Sequence, residues 1–515
     1  MDDAIESLAA NNSLVQSFEI EGLYGYRNIG MSSNFAATVL IAKNGSGKTT
    51  LLSAMDAFLR RQFVRLNELD FKSIKCKLRG IEEPLVLTKE DLNDLARAST
   101  DKEFSAKARR FGLEEIDLFN FLEGEYSSSN FISKVNGAGK VFSTLVRSHG
   151  YSTRDTVEFC HKLRESYYCS TPNLARHWTV LESVFKDVEI MYLPTYRRIE
   201  LPIHDDAELE SASGRRQPSL PFPKHGLFSG NIQFGLGDIP EKLRELNQSM
   251  LIESNVSYRQ ISANIINELL DGTFEKHSSE HGYLPDRDEL QLFFSRLKDA
   301  RHIGPYQDTL IFDIDRIYSR EADTESNKFL FYFLGKLNVA IQSTKTTESL
   351  VESFVENCNR YLSSQDPSTY VSGGVDPDDR IEGKRLRLNR RNLSIMVESL
   401  PFKRKIKLDA LSSGEKQMIS LFAKMYLYDK KKLVLIDEPE LSLSIGWQRE
   451  ILKDILKAPN CSQVIAITHS PFVFDNELER YARSLKSVVT ADLSPELFNE
   501  GVEGFTEDES NDSLF

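Results

Sequence analysis

The residues with the most definite chemistry are Ala42-Lys43-Asn44-Gly45-Ser46-Gly47-Lys48-Thr49-Thr50. An apolar run (Val39, Leu40, Ile41) enters this string. A segment with Leu51, Leu52, Met55, Phe58 and Leu59 on one helical face leaves it. Strand, glycine-containing turn and helix, in that order, make a phosphate-binding loop. Gly45 and Gly47 let the backbone curl so that successive N–H groups of the stretch Asn44 to Thr50 face phosphate oxygens, and the helix N-terminus adds partial positive charge. Lys48 would then reach the β- and γ-phosphates, and the Thr49 hydroxyl would ligate Mg²⁺. Ala42 stands where the G-x-x-x-x-G-K-[ST] pattern begins with Gly, a mild departure that disfavours positive φ without adding much bulk. Asn136-Gly137-Ala138-Gly139-Lys140 imitates the loop but is followed by Val141, which has no hydroxyl for a metal, and reads as a surface turn.

Three further strings carry chemistry that the first one needs. Leu433-Val434-Leu435-Ile436 reads as a buried strand ending in Asp437 and Glu438. In a parallel sheet, ligands bind beyond the carboxyl ends of the strands. Asp437 would hold Mg²⁺ through water, and Glu438 would accept a proton from the attacking water. Ser412-Ser413-Gly414, opening a helix to about Tyr428, is a second anion site made of N–H groups and hydroxyls. His469, ending the apolar run Ile465-Ala466-Ile467-Thr468, would face the γ-phosphate if its strand neighbours the first.

These residues need elements to hold them. Short strands are expected at Ser17 to Ile20, Thr38 to Ala42 and Glu189 to Leu193, and a helix from Gly47 to about Gln62. From Gly80 to Asp187 the pattern is charged and mostly helical. Ala207 to Gly230 is rich in turn residues, Ile239 to Leu270 and Asn327 to Leu362 are long helices, and a hairpin turns at Asn389 to Asn392. Leu411 to Asp475 alternates helix and apolar strand, as a parallel α/β sheet does. With 515 residues, two or three lobes are expected at roughly 100–200 residues each. A composition of 40% hydrophobic and 27% charged residues excludes wholesale disorder. No apolar stretch is long enough to span a membrane, the start is acidic rather than signal-like, and five scattered cysteines suit a reducing cytoplasm. The formal charge of −13 argues against a general nucleic-acid coat, but seven of the acids lie in Glu496 to Phe515, which has no Lys or Arg.

Asn44-Gly45-Ser46-Gly47-Lys48-Thr49, Leu411-Ser412-Ser413-Gly414-Glu415, Asp437-Glu438-Pro439-Glu440-Leu441-Ser442-Leu443 and Thr468-His469-Ser470-Pro471 occur in that order. Together they resemble the ABC-type ATPase heads of the SMC, RecF and OLD-like group. That resemblance implies an α/β fold: an ABC-type P-loop ATPase head with a largely helical insertion between phosphate loop and signature motif. It implies ATP and Mg²⁺ as cofactors, and a homo-oligomer built on head-to-head dimers. In such a dimer Ser412, Ser413 and Gly414 cover the ATP on the other subunit's phosphate loop, Glu440-Leu441-Ser442 form the D-loop, and His469 is the switch histidine. Ser444 departs from the His that often precedes Pro in these ATPases. The Q-loop glutamine has no assignment, Gln62 lying too early and Gln233 being a candidate. The head would comprise residues 1–80, 188–238 (including a mobile loop) and 371–493, interrupted by helical insertions at 81–187 and 239–370 and followed by an acidic tail, 494–515.

Tyr192-Leu193-Pro194-Thr195-Tyr196-Arg197-Arg198-Ile199-Glu200, Ile232-Gln233-Phe234-Gly235 and Thr468 to Asp475 further resemble the PtuA ATPases of Septu-type and retron-linked antiphage systems. This implies a separate HNH nuclease partner of PtuB type, with the present chain as nucleotide-dependent sensor and regulator. The competing reading is a DNA-repair or chromosome-maintenance ATPase that binds DNA directly, although the long heptad arms of such proteins are missing. The stretch after His469 is too short for the nuclease domain of the usual OLD layout. His277-Ser278-Ser279-Glu280-His281 matches a zinc-peptidase pattern but reads as a solvated loop, there being no apolar helix face to fix it. Lys384, Arg385, Arg387, Arg390, Arg391, Lys403, Arg404, Lys405 and Lys407 form a basic cluster. It fits either contact with nucleic-acid phosphates or a solvated strand face balanced by Asp376, Asp378 and Asp379. The tail carries Leu497, Phe498, Val502, Phe505, Leu514 and Phe515 among its acids, and reads as a solvated end or a docking peptide.

Overall fold

The apolar runs at 37–41, 433–436 and 464–467 are near-continuous because both faces of their sheet are covered. In the computed structural model, residues 2–43, 45–99, 172–194, 238–271, 284–299, 313–318, 325–362, 383–400, 403–440 and 443–489 are described, with positions 152, 155 and 158. The expectations for Asn44, 136–141, 195–200, 207–230, Gln233, 277–281, 376–379, Leu441, Ser442 and 494–515 lie outside these residues. The elements run α1 (Asp2–Ala9), β1 (Val15–Leu23), β2 (Arg27–Ser32), β3 (Ala37–Ile41), α2 (Lys48–Leu59), β4 (Ser73–Leu78), β5 (Leu85–Thr88) and α3 (Lys89–Ser99). Then come α4 (Pro172–Val184), β6 (Val188–Leu193), α5 (Asp238–Leu270), α6 (Arg287–Asp299), α7 (Ile314–Tyr318), α8 (Glu325–Leu362), β7 (Lys384–Asn389), β8 (Ser394–Ser399) and β9 (Arg404–Ile406). The chain continues through α9 (Ser413–Leu427), β10 (Lys431–Asp437), α10 (Ile445–Lys457), β11 (Cys461–Thr468), β12 (Ala482–Ser484) and β13 (Lys486–Val489).

The central sheet has the order β12-β3-β11-β10-β6, every neighbour parallel. Successive side chains of a strand point to opposite faces, so this sheet feeds two cores. Leu433, Leu435, Ile465 and Ile467 meet Leu51, Leu52, Met55 and Phe58 of α2 on one face. Val434, Ile436, Val464 and Ala466 meet Ile419 and Phe422 of α9, Ile455 of α10 and Phe354 of α8 on the other. The phosphate-loop helix and the signature helix therefore lie on opposite sides of one sheet.

A second, antiparallel sheet (β13-β2-β1-β4-β5) caps α2, with Phe18 of β1 edge-on to Phe58 at 5.7 Å. A third pairs β7, β8 and β9. The long helices α5 and α8 pack with α6 around a small core of their own (Leu290, Phe293, Leu334, Leu337, Ile341). The C-terminal end of α8 is fastened to α10, where the fully buried Asp454 accepts from Arg360 Nη1 at 2.7 Å and from Tyr361 Oη at 2.8 Å.

Two expected boundaries move. The sequence pattern puts the segment from 81 in a helical insertion, yet β5 pairs with β4 and completes the antiparallel sheet. At the other end, Leu174, Trp178 and Leu181 of α4 belong to the first core. A four-residue strand that buries only Leu85 and Leu87 leaves too short an alternation to register against charged flanks. The hairpin also gains a third strand, β9. Among the described residues no helix is long and apolar enough to cross a membrane.

Candidate nucleotide site

The phosphate loop leaves the carboxyl end of β3, where Ala42 N donates to Thr468 O at 3.2 Å and so fixes it against the end of β11. Gly45 and Gly47 take φ of 76° and 90°, a region other residues adopt only under strain. A Cβ on Gly47 would also lie 3.2 Å from Ile29 Cδ1, a tight contact added to the strain of the positive φ. Gly47 caps α2, whose first turn carries no acid, so the helix N-terminus keeps its attraction for an anion. Arg27 Nη1 donates to Gly45 O at 2.8 Å and braces the loop from β2. The sequence offered no sign of this, a lone arginine far from the loop carrying no spacing.

Lys48 is 7% exposed and its Nζ lies 2.7 Å from Glu438 Oε1. Thr49 Oγ1 donates to Asp437 Oδ2 at 2.6 Å. Asp437 is buried at the end of β10, whereas Glu438 follows it with φ of 54°, off the sheet and turned toward the loop, its N–H bonded to Ile467 O. A non-glycine residue held in this region is the kind of local strain that gathers at functional sites. Thr49 and Asp437 present two hard oxygen donors side by side. That fits an Mg²⁺ ion completed by phosphate and water, the usual habit of this ion.

His469, at the end of β11, joins the group from the adjacent strand. Its Nδ1 lies 3.0 Å from Glu440 Oε1 and 3.7 Å from Glu438 Oε1, and its own N–H donates to Glu440 Oε1 at 3.1 Å. Glu440 is buried, while the imidazole is half exposed. Gln448 of α10 ties the two segments together, donating to Glu440 O and Leu443 O and accepting from Ser470 Oγ at 2.8 Å. In sequence Glu440 shows only as part of the D-loop string, and Gln448 carries no signal. Both owe their roles to contacts between distant stretches of chain.

Lys48, Thr49, Asp437, Glu438 and His469 thus converge, with Gly45, Ser46, Gly47 and Thr50 on the loop beside them. Ser412 does not join them. It caps α9 in a reciprocal box with Glu415, whose Oε2 accepts from Ser412 N, Ser412 Oγ and Lys384 Nζ. Burial opposes the charge on Glu415, but these donors outweigh it and hold the carboxyl below its ordinary pKa. Gly414 approaches the end of β10 from the α9 side, lining with Asp437, Glu438 and Met418 an open pocket.

A parallel sheet with a glycine-bent loop on a helix N-terminus, and two acids at the end of the neighbouring strand group, defines a P-loop nucleotide-binding protein of mixed α/β fold. The chain belongs to the family of AAA domains described as "AAA domain, putative AbiEii toxin, Type IV TA system", whose model matches residues 37–475. A solved structure of the SmcHead bound to the C-winged helix domain of ScpA is similar at 16% identity, over 31% of this chain and 47% of that one, with a TM-score of 0.19. The chain therefore spans less than half of that structure's chain. No curated protein matches.

Proposed function

We propose that this P-loop protein is an ABC-type ATPase that closes head to head around ATP and regulates a separate HNH nuclease of PtuB type in antiphage defence. The observation that carries the ATPase part is the convergence of Lys48 and Thr49 on Glu438 and Asp437 at 2.7 and 2.6 Å. Lys48 is placed to exchange its carboxylate partner for the β- and γ-phosphates. Mg²⁺, held by Thr49 and Asp437, would neutralise phosphate charge. Glu438, released by Lys48, takes the proton of the attacking water, and His469 stands beside it to orient the terminal phosphate.

The dimer part is supported by the placement of α2 and α9 on opposite faces of the sheet. Ser412, Ser413 and Gly414 would then serve a second copy's phosphate loop. The nuclease partner and the defence role rest on the strings shared with PtuA ATPases. Glu438→Gln is expected to keep ATP binding, lower turnover by about 10²–10⁴-fold and accumulate a dimer on gel filtration with ATP. Undiminished turnover would remove Glu438 as the base. Co-purification with a PtuB-type nuclease tests the partner, and separate elution under ATP and ADP alike would overturn it.

A further inference from the structure

The register of the third sheet sorts the cations of the cluster at 384–407. Arg385 stands opposite Glu398, and Glu398 opposite Lys405; one step along, Leu386, Val397 and Ile406 form the next row. The apolar row packs into the second core, so the row of Arg385 faces outward, with Arg387 beside it. Lys407 follows Lys405 by one alternation, and Lys403 and Arg404 stand at the turn into β9; all are exposed.

The set expected from sequence changes accordingly. Lys384 is occupied by Glu415 at 2.7 Å, and Arg390 by Glu348 and Glu352 at 2.7 and 2.9 Å. Among the described residues, Arg385, Lys403, Lys405 and Lys407 form no ion pair, and Arg404, which also forms none, falls by alternation on the side of Ile406. Among the described residues of these three strands, Glu398, bonded to Arg387 at 3.2 Å, is the single acid on this face. Like charges so grouped repel one another, more conspicuously in a chain of net charge −13, and a polyanion would relieve them.

We infer that the outer face of the β7–β9 sheet binds the phosphate backbone of double-helical DNA without reading its sequence. A protein partner would call for aromatic or apolar anchors at the centre of the contact, and a single strand for rings on which bases stack. The described residues of this face supply no ring, and as apolar side chains only Met396 and, one alternation after Glu398, Leu400, both half-buried. They supply cations on a stiff support, which is what backbone contact requires. The surface is joined to the signature turn, since Lys384 of β7 holds Glu415 in the cap of α9. DNA seated here would bear on the residues proposed to cover a second copy's nucleotide.

The test measures binding of the full chain to a fluorescent duplex of arbitrary sequence across a salt series. No nucleotide is added, so the outcome is independent of the ATPase reading. The triple variant Arg385→Ala/Lys405→Ala/Lys407→Ala is expected to flatten the log K against log salt slope by about 3, with affinity falling roughly tenfold or more at low salt. Glu398→Gln frees Arg387 and is expected to tighten binding several-fold, a gain that misfolding cannot produce. An unchanged slope in the triple variant would overturn the proposal. So would tighter binding of polyglutamate or of single strands than of the duplex.

Discussion

At the scale of single residues, the site is a set of charges whose partners are chosen by the strand order. Lys48 rests on Glu438, so Lys48→Ala leaves that carboxylate without its ammonium and removes the group meant for the phosphates. Loss of one member of such a pair costs about 2–5 kcal/mol, and ATP affinity is expected to fall 30-fold or more by calorimetry. Retained affinity would remove the loop as the nucleotide site. Glu440 acts through another residue: one oxygen accepts the N–H of His469 and lies 3.0 Å from its Nδ1. Glu440→Ala is expected to lower kcat about tenfold with ATP affinity unchanged, and Glu440→Gln, which keeps an acceptor oxygen, to recover most of it. Unchanged kcat in Glu440→Ala would leave His469 held by its strand alone. Lys48, Thr49 and Asp437 were legible because each sits in a contiguous string whose chemistry is local. Arg27, Glu440 and Gln448 were not, since their meaning comes from bonds to chain far away in sequence.

At the scale of elements, periodicity located what was long or doubly buried. β3, β10, β11, α5 and α8 were expected within a few residues of where they lie, because each buries an apolar pattern several residues long. β5 and α4 read from sequence as part of an insertion because a short strand and a charged amphipathic helix look alike in any solvated region. Only the fold shows them closing the first core. α4 carries a feature with a measurable consequence. His177, 1% exposed, lies edge-on to Phe58 and Phe63, with ring centroids 6.0 and 6.5 Å away. Burial lowers its pKa to about 4, Asp91 pulling the other way but being outweighed. With a folded pKa below the unfolded value of about 6.5, the unfolded chain takes up a proton that the fold refuses. Stability contributed by the neutral imidazole is therefore complete above about pH 6.5 and lost as pH falls toward 4, by up to about 3 kcal/mol. Urea titrations between pH 7 and 4.5 should show this loss, and His177→Phe should flatten it. An equal acid slope in both proteins would assign it to other groups.

At the scale of the whole molecule, one sheet with two differently furnished faces sets what a single copy can do. α2 and the phosphate loop belong to the core on one side; α9, with Ser412 at its cap, belongs to the core on the other. Turning α9 over the edge of the sheet would expose Ile419 and Phe422, both fully buried, at about 1.5–3 kcal/mol each, besides breaking the Lys384–Glu415 pair. In the proposed dimer a second copy would bring the same turn to the phosphates with no core disturbed. This predicts complementation. Lys48→Ala spoils the phosphate loop and leaves the signature; Ser412→Arg spoils the signature and leaves the loop. Each variant alone should be inactive. In an equal mixture half the dimers combine one chain of each kind, and one of the two sites in such a dimer is built from intact parts. If copies exchange and sites act independently, turnover should recover to roughly one quarter of wild type, the share set by two-fold symmetry. A mixture as inactive as its components, under conditions where labelled chains are seen to exchange, would place the signature and the loop of each site on the same chain.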